Sequence, residues 1–287
     1  MLNFSHNPSE ISAPLFSPES VFWRVNREWL TALAGPRALL LELAHPLVAA
    51  GVVGHSHFRR DPLGRLYRTL RAMTDVTFGK PAQAYETARH IHACHRRVTG
   101  TLAKEVGPYL AGTPYRANDP LLKLWVLATL IDSSLRTYDL LVAPLSLADR
   151  RAYYDDSQCL ARLLGIPPDL TPPAYEDFCN YLEAMLDSDV LTVGETAREI
   201  VYALFASPLV GSLAKAASLV GIGLLPERLR QAYGFQWGER REKQLQKFAS
   251  LTRRSRPLIP EAVCVHPGAM RAERRLRAGS PHPFVRS

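Results

Sequence analysis

Three short segments in the N-terminal third of the chain place ionisable side chains on helical faces that are otherwise apolar. They are Glu42–Pro46 (ELAHP), Arg65–Thr69 (RLYRT) and His92–Val98 (HACHRRV). A buried neutral polar group without a partner costs roughly 2–7 kcal/mol. Three such segments so close together therefore indicate a functional site.

Histidines offer the first kind of chemistry. On a helix through this segment, Ile91, Cys94 and Val98 form the apolar stripe, His95 lies beside it, and His92 lies at its boundary. His95 is therefore the histidine expected to point inward. It is either a metal ligand or a core histidine hydrogen-bonded to a carbonyl group.

Arginines offer a second kind of chemistry, the binding of an anionic group. Arg65, Arg68 and Thr69 share one face of the next predicted helix upstream. A guanidinium group holds a carboxylate or propionate through two parallel hydrogen bonds. The alternative is an ion pair with a local acidic side chain.

Glu42 and His45 form an E-x-x-H pair on one face of an apolar helix, and Pro46 predicts a kink there. A di-iron carboxylate site needs a second E-x-x-H and two more glutamates, and no second motif exists. A G-x-S-x-G elbow and a glycine-rich phosphate loop are also missing from the sequence. Asp132 is expected to form a structural ion pair with Arg136, four residues later.

The elements that would position these residues are helices. Apolar residues recur at three- and four-residue spacing, and caps followed by proline mark helix starts at Asp61, Asp119 and Thr171. Sustained period-two alternation is absent, so the predicted fold is all-α. We predict helices over 18–34, 36–53, 62–77, 81–106, 119–142, 146–164, 172–187, 194–206, 209–220, 226–233 and 238–254.

Domain organisation follows from composition. We predict an N-terminal extension over 1–17, one multi-helix globular domain over 18–256, and a basic Pro/Arg-rich segment over 257–287 that is a tail or a wrapping arm. Residues 251–287 hold eight arginines and two glutamates and so contribute +6 of the chain's net charge of +8. The body is therefore close to neutral, which argues against nucleic acid as a partner.

The four cysteines show no C-x-x-C pair, and free thiols are typical of a reducing cytosol. The segment from Met1 to Pro14 lacks the order of a signal peptide, and the apolar runs at 39–54 and 209–225 are interrupted. We therefore expect a cytoplasmic protein, with allowance for peripheral contact with a membrane. The sequence does not determine the oligomeric state.

Read in order, the motifs resemble the DUF2236 family, which includes the latex-clearing rubber oxygenases and the MpaB-type oxygenases. The resemblance covers about residues 18–240. It rests on the strings GPRALLLELAHP from Gly35, AAG from Ala49, HSHF from His55, DP from Asp61, RLYRT from Arg65, HRRVTG from His95, YRANDP from Tyr115, LWV from Leu124, DS from Asp132, GIP from Gly165 and GLLP from Gly223.

The resemblance implies an all-α fold around a buried pocket that holds a non-covalently bound haem b. It also implies dioxygen-dependent cleavage of a double bond in a small hydrophobic, isoprenoid substrate. By the same resemblance His95 matches the proximal iron ligand, and Arg65 and Thr69 match residues of the haem pocket. His92 and His45 are the next candidates to bind the cofactor. Catalytic roles are expected for Arg65, Arg68 and Thr69, and for Glu42 as a base because of its buried setting.

Two positions depart from the family pattern. Rubber oxygenases carry a lysine just before the threonine, where this chain has Arg68, whose guanidinium stays protonated. Many relatives have a histidine where this chain has Leu127. Two other hypotheses therefore stay open: a haem or lipid carrier without turnover, and a cofactor-free helical protein that acts at membranes.

Overall fold

The computed structural model describes residues 14–55, 62–205 and 211–279, with the backbone alone at 55, 62–67, 205, 212–213 and 279. This part of the chain is built almost entirely of helices, which confirms the predicted all-α class. The α-helices are α1 Val21–Asn26, α2 Gly35–Ala44, α3 Pro46–His55, α4 Pro62–Phe78, α5 Pro81–Arg96, α6 Pro120–Leu141, α7 Leu147–Leu163, α8 Tyr175–Asp187, α9 Glu195–Phe205, α10 Ser212–Gly223, α11 Glu227–Ala232, α12 Glu239–Ser255, α13 Glu261–Cys264 and α14 Pro267–Gly279. Short 3-10 helices cover Trp29–Ala34 and Arg256–Leu258.

The central element is α6. Asp119 caps its N-terminus, because one carboxylate oxygen accepts the backbone N–H groups of Leu121 and Leu122 at 2.8 and 3.4 Å. Helices α1, α2, α7 and α12 and the first 3-10 helix pack around it. Trp125 and Leu135 on α6 are at most 1% exposed, so this helix forms the middle of the hydrophobic core.

The predicted kink at Pro46 is a complete break. Helix α2 ends at His45, whose backbone is extended (φ −84°, ψ 116°), and α3 begins at Pro46. The axes on either side of the break differ by 103°. Pro46 has no N–H to continue the α2 ladder, so α2 packs on α6 and α10 while α3 turns toward α9.

Helices α4 and α5 form an antiparallel hairpin joined by Gly79 and Lys80. The sequence predicted a helix over 81–106, which is too long at its C-terminal end. Residues Thr99–Thr101 instead form strand β1 and pair antiparallel with β2, Pro114–Arg116. The Thr-Gly-Thr composition explains the error, since β-branched residues and glycine disfavour a helix interior.

The basic C-terminal segment is an arm as far as residue 279. Within it, α14 buries Ala269 and Ala272 completely against the core and packs on α4. Glu273 accepts the indole N–H of Trp23 at 3.2 Å and the Arg27 Nε–H at 3.0 Å. Helix α14 lies outside the predicted helices, and residues 280–287 lie outside the described residues.

At the other end of the chain, the predicted extension over 1–17 includes Phe16, whose side chain is only 2% exposed in the core. Among the described residues, no single helix is long and apolar enough to cross a membrane. In the same part of the chain, the bent pair that meets at His45 passes that test, by length and composition alone.

Candidate active site

The α4–α5 hairpin brings most of the predicted site residues to one end. Arg68 on α4 and Ile91 on α5 lie equally far along the sequence from the turn that joins the two helices. Because the helices are antiparallel and rise equally per residue, these positions stand at the same level. Arg65 is correspondingly level with His95, within one residue.

The cationic side of this end is open to solvent. Arg68 and Thr69 are both exposed, and they follow each other on the outer part of α4. The side chain of Arg65 lies outside the described residues, although its backbone belongs to the first turn of α4. Spacing of three and four residues puts all three on one helical face.

The histidines of α5 differ in exposure, although Cys94, which the sequence placed on the apolar stripe beside His95, is exposed. His95, in the last turn of α5, is partly buried, whereas His92 is exposed. The carbonyl of His92 accepts the side-chain N–H of Asn118 at 3.1 Å. The Asn118 Oδ1 atom is buried and has no hydrogen-bond partner among the described residues, so this end of α5 contains an open acceptor that sequence reasoning did not identify.

The two paired strands β1 and β2, here called the β-ribbon, follow the end of α5 and pack against α3. The Tyr115 ring on β2 occupies a notch made by glycines, since a Cβ atom at Gly54 or Gly100 would lie 2.8 or 2.5 Å from its hydroxyl oxygen. The same ring lies beside Gly51 on α3. Glycine is needed here because any larger residue would displace the tyrosine.

Solvent reaches the middle of α6 on one side. Val126 and Leu130 are partly exposed, although their neighbours Trp125, Leu127 and Thr129 are buried. A four-residue spacing puts Val126 and Leu130 on one face of the helix. Val126 and Leu130 thus form a partly exposed apolar strip on an otherwise buried helix.

Glu42 lies on α2, next to this part of α6. Its Oε1 atom is 3.5 Å from the Thr129 hydroxyl, whose proton is shared with the closer Val126 carbonyl at 2.7 Å. The carboxylate is partly exposed. Burial and, secondarily, the charge of Glu42 raise the pKa of Tyr233. Glu42 is therefore a half-buried acid next to α6, on a different element from the hairpin.

Both ring nitrogens of His45 have hydrogen-bond partners within the protein. Its Nδ1 atom accepts the Leu47 N–H at 3.3 Å, and its Nε2 atom lies 3.3 Å from the Tyr109 hydroxyl. Burial lowers the pKa of His45 to about 4, despite an opposing effect from Asp119. The neutral ring thus carries its proton on Nε2 and ties the α2–α3 junction to the loop between the strands.

A buried ion pair that the sequence analysis missed joins α2 to α6. Arg37, which is 1% exposed, approaches Asp132 at 2.6 Å and donates to the Ser133 hydroxyl and the Leu224 carbonyl, both at 2.8 Å. The predicted pair of Asp132 with Arg136 is also present, at 2.9 Å. The sequence signal that could have predicted this ion pair is a cation in one apolar helix and an anion in another.

Leu127 faces away from Glu42. It is 2% exposed and lines a very small apolar cavity with residues of α7 and α8, among them Tyr154 and Phe178. The departure from the family pattern at this position therefore lies in the packed core. Among the described residues, no group of three or more histidine, cysteine or acidic side chains is placed to hold a metal ion.

Comparison with known proteins supplies the family. The family model named for the catalytic domain of the ER-bound oxygenases mpaB/B′ and rubber oxygenase matches residues 23–254 of the sequence. Two relatives, uncharacterised proteins of Mycobacterium bovis and Mycobacterium tuberculosis, are each 25% identical over 234 residues, covering 79% of this chain and 89% of theirs. No solved structure matches the chain. The chain thus belongs to the mpaB/rubber oxygenase catalytic-domain family.

Proposed function

We propose that this protein is a haem b-dependent oxygenase that cleaves a carbon–carbon double bond in a hydrophobic, isoprenoid substrate. The observation that carries the proposal is the convergence on one hairpin end of His95 and the positions of Arg65, Arg68 and Thr69. These positions combine one partly buried imidazole with an exposed arginine, Arg68, at the same end of the hairpin. That combination suits an iron ligand together with partners for propionate groups.

Other features of this region also fit a haem. The hairpin end is only partly filled by the protein, since Arg68 and Thr69 are exposed. A large planar apolar group needs an apolar wall, and we assign that role to the partly exposed Val126 and Leu130 of α6. Asn118 adds a buried acceptor without a partner among the described residues.

Each residue has a distinct role in this proposal. His95 holds the iron through a ring nitrogen, and Arg65 and Arg68 hold the propionates, with the Thr69 hydroxyl as a further donor. The bound haem supplies the iron at which dioxygen is activated. Glu42 accepts a proton at its carboxylate from substrate bound beside α6, and the apolar side chains of α6 exclude water and orient the hydrocarbon chain.

We do not assign His45 or His92 as the iron ligand. Both ring nitrogens of His45 are engaged by Leu47 and Tyr109, so we assign His45 to structure rather than to the cofactor. His92 stands one helical turn before His95 and is exposed. It is therefore the natural control for the assignment of His95.

The first experiment is an ultraviolet–visible spectrum of the protein produced with a haem precursor, oxidised and then reduced with dithionite. We expect a Soret band at near-stoichiometric haem. The H95A variant should lose haem or shift its spectrum while its helical circular dichroism is retained, and H92A should keep the wild-type spectrum. A protein that stays colourless after haem titration, or an H95A variant with wild-type absorption, would overturn the assignment.

The alternative of a carrier without turnover is favoured by one observation, the replacement of a family histidine by Leu127. Oxygen consumption separates the two functions. An oxygenase consumes dioxygen when the haem-loaded protein meets a short polyisoprene, and a carrier binds that compound with no oxygen uptake.

A further inference from the structure

A group of large apolar side chains is exposed near the C-terminal end of the described chain. We call this group the apolar tip. It consists of Leu251 at the end of α12 and three residues of the following turns, with exposed fractions of 63% for Leu251, 84% for Leu258, 37% for Ile259 and 63% for Val263. Single exposed apolar residues are common, but four in one short segment concentrate apolar surface there, and such a concentration is typical of an interaction site.

A row of cations leads to the tip. Arg240, Lys243, Lys247 and Arg254 are exposed and follow one another at spacings of three, four and seven residues along α12. This periodicity keeps them on one face, the same face as Leu251 and opposite the buried Leu245 and Ala249. We call this face the basic stripe.

The charge balance around the two features is strongly positive. Residues 239–263 contain seven arginines and lysines and three glutamates, a net charge of +4 out of +8 for the whole chain. Half of the net charge thus lies in this one segment. One of the acids, Glu239, pairs with Lys243 at 3.1 Å, and both side chains are highly exposed. An ion pair this exposed to solvent contributes little binding energy.

The tip stands on a rigid base. Arg256 makes two hydrogen bonds to the buried carboxylate of Glu28, at 2.8 and 2.6 Å. Glu261 pairs with Arg27 at 2.7 Å. These contacts hold the turns between α12 and α14 in place, so Leu258 and Val263 are presented to solvent by fixed backbone.

We propose that the basic stripe and the apolar tip together dock this protein onto an anionic lipid surface. Apolar side chains next to a row of cations are the pattern of interfacial binding, in which the apolar groups enter the boundary between headgroups and acyl chains. Each cation near an anionic membrane strengthens binding about fivefold. A second copy of the chain fits less well, because a two-fold interface would set the same excess of cations against itself.

This docking does not depend on a cofactor or on turnover, and it is tested with the full chain by vesicle sedimentation. We expect binding to mixed phosphatidylcholine–phosphatidylglycerol vesicles and much weaker binding to pure phosphatidylcholine. Binding should weaken as salt rises, because the screening length falls from about 8 Å at physiological ionic strength to about 3 Å at 1 M.

Two double variants separate the contributions. L258D/V263D should lower binding about tenfold or more, since each leucine- or valine-sized side chain loses its apolar insertion. K247Q/R254Q should lower it about 25-fold, at about fivefold for each cation. All four positions are exposed, and circular dichroism checks that the fold is retained.

Matched controls alter similar residues elsewhere. L110D/L121D changes two leucines that are 66% and 59% exposed, and K80Q/R162Q removes two exposed cations. Both should bind vesicles as the wild type does. The proposal is overturned by no binding to anionic vesicles, by equal binding to neutral ones, or by stripe and tip variants that match their controls. A wild-type dimer that L258D/V263D converts to monomer, without vesicle binding, would assign the tip to a second copy instead.

Discussion

Protonation of His45 should make the stability of this protein depend on pH in a way that one substitution removes. The imidazole is 4% exposed, and burial lowers its pKa from 6.5 to about 4. Between these two values the unfolded chain binds a proton that the folded protein resists, so stability falls as pH falls. The contribution of His45 is complete above pH about 6.5 and is lost progressively toward pH about 4.

The magnitude follows from the difference in proton affinity. Each factor of ten is worth about 1.4 kcal/mol, so a pKa of about 4 against 6.5 corresponds to about 3 kcal/mol in full. About 2 kcal/mol of this should disappear between pH 7 and pH 5, a range in which most carboxylates have not yet titrated. His266, whose pKa burial also lowers, acts in the same direction.

The assay is urea unfolding at a series of pH values, for the wild type and for H45Q. Glutamine keeps an acceptor and a donor for Leu47 and Tyr109 but does not titrate. We expect H45Q to be less stable at pH 7 and to lose markedly less stability between pH 7 and pH 5, since only His266 and other groups then contribute. Parallel curves for the two proteins would refute the argument that His45 is held neutral by burial.

Two further substitutions test the packing of the interior. R37M should lower the free energy of unfolding by about 1.5–3 kcal/mol, because Asp132 loses its closest cation while it keeps Arg136; a loss below about 1 kcal/mol in urea unfolding would contradict a stabilising role for the buried pair. G100A should cost about 1–3 kcal/mol by forcing Tyr115 from its notch. G35A, where an added Cβ meets nothing within 4 Å, is its control and should unfold like the wild type.

Local signals predicted most of the helices. Asp119 followed by Pro120 marked the start of α6 to within one residue, because capping depends on neighbours in sequence. His95 is partly buried, but the apolar stripe predicted for its helix is incomplete, because Cys94 is exposed. Where Thr99–Thr101 leaves the helix to pair with Pro114–Arg116, the deciding contact is not local, and the helix was predicted too long.

Features that depend on distant contacts escaped the sequence. Arg37 was visible only as one letter of a family string, since its carboxylate partner lies far along the chain on α6. The 103° break at His45 exceeds the kink that Pro46 alone predicts, because α3 finds its own packing against α9 and the β-ribbon. Helix α14 was missed because arginines dominate its composition, while two buried alanines carry its packing.

The position of α14 has a consequence for the order in which the molecule can be assembled. Glu273 bonds Trp23 across 250 residues of sequence, and Arg275 bonds the Phe78 carbonyl across 197. At a synthesis rate of about 5–20 residues per second, roughly 12–50 seconds separate Trp23 from Glu273 on the ribosome. During that interval the apolar surface of α1 and α4 that the last helix covers stays open to chaperones and to aggregation. Helix α4, and with it Arg68 and Thr69, therefore reaches its final support only after α14 has been synthesised.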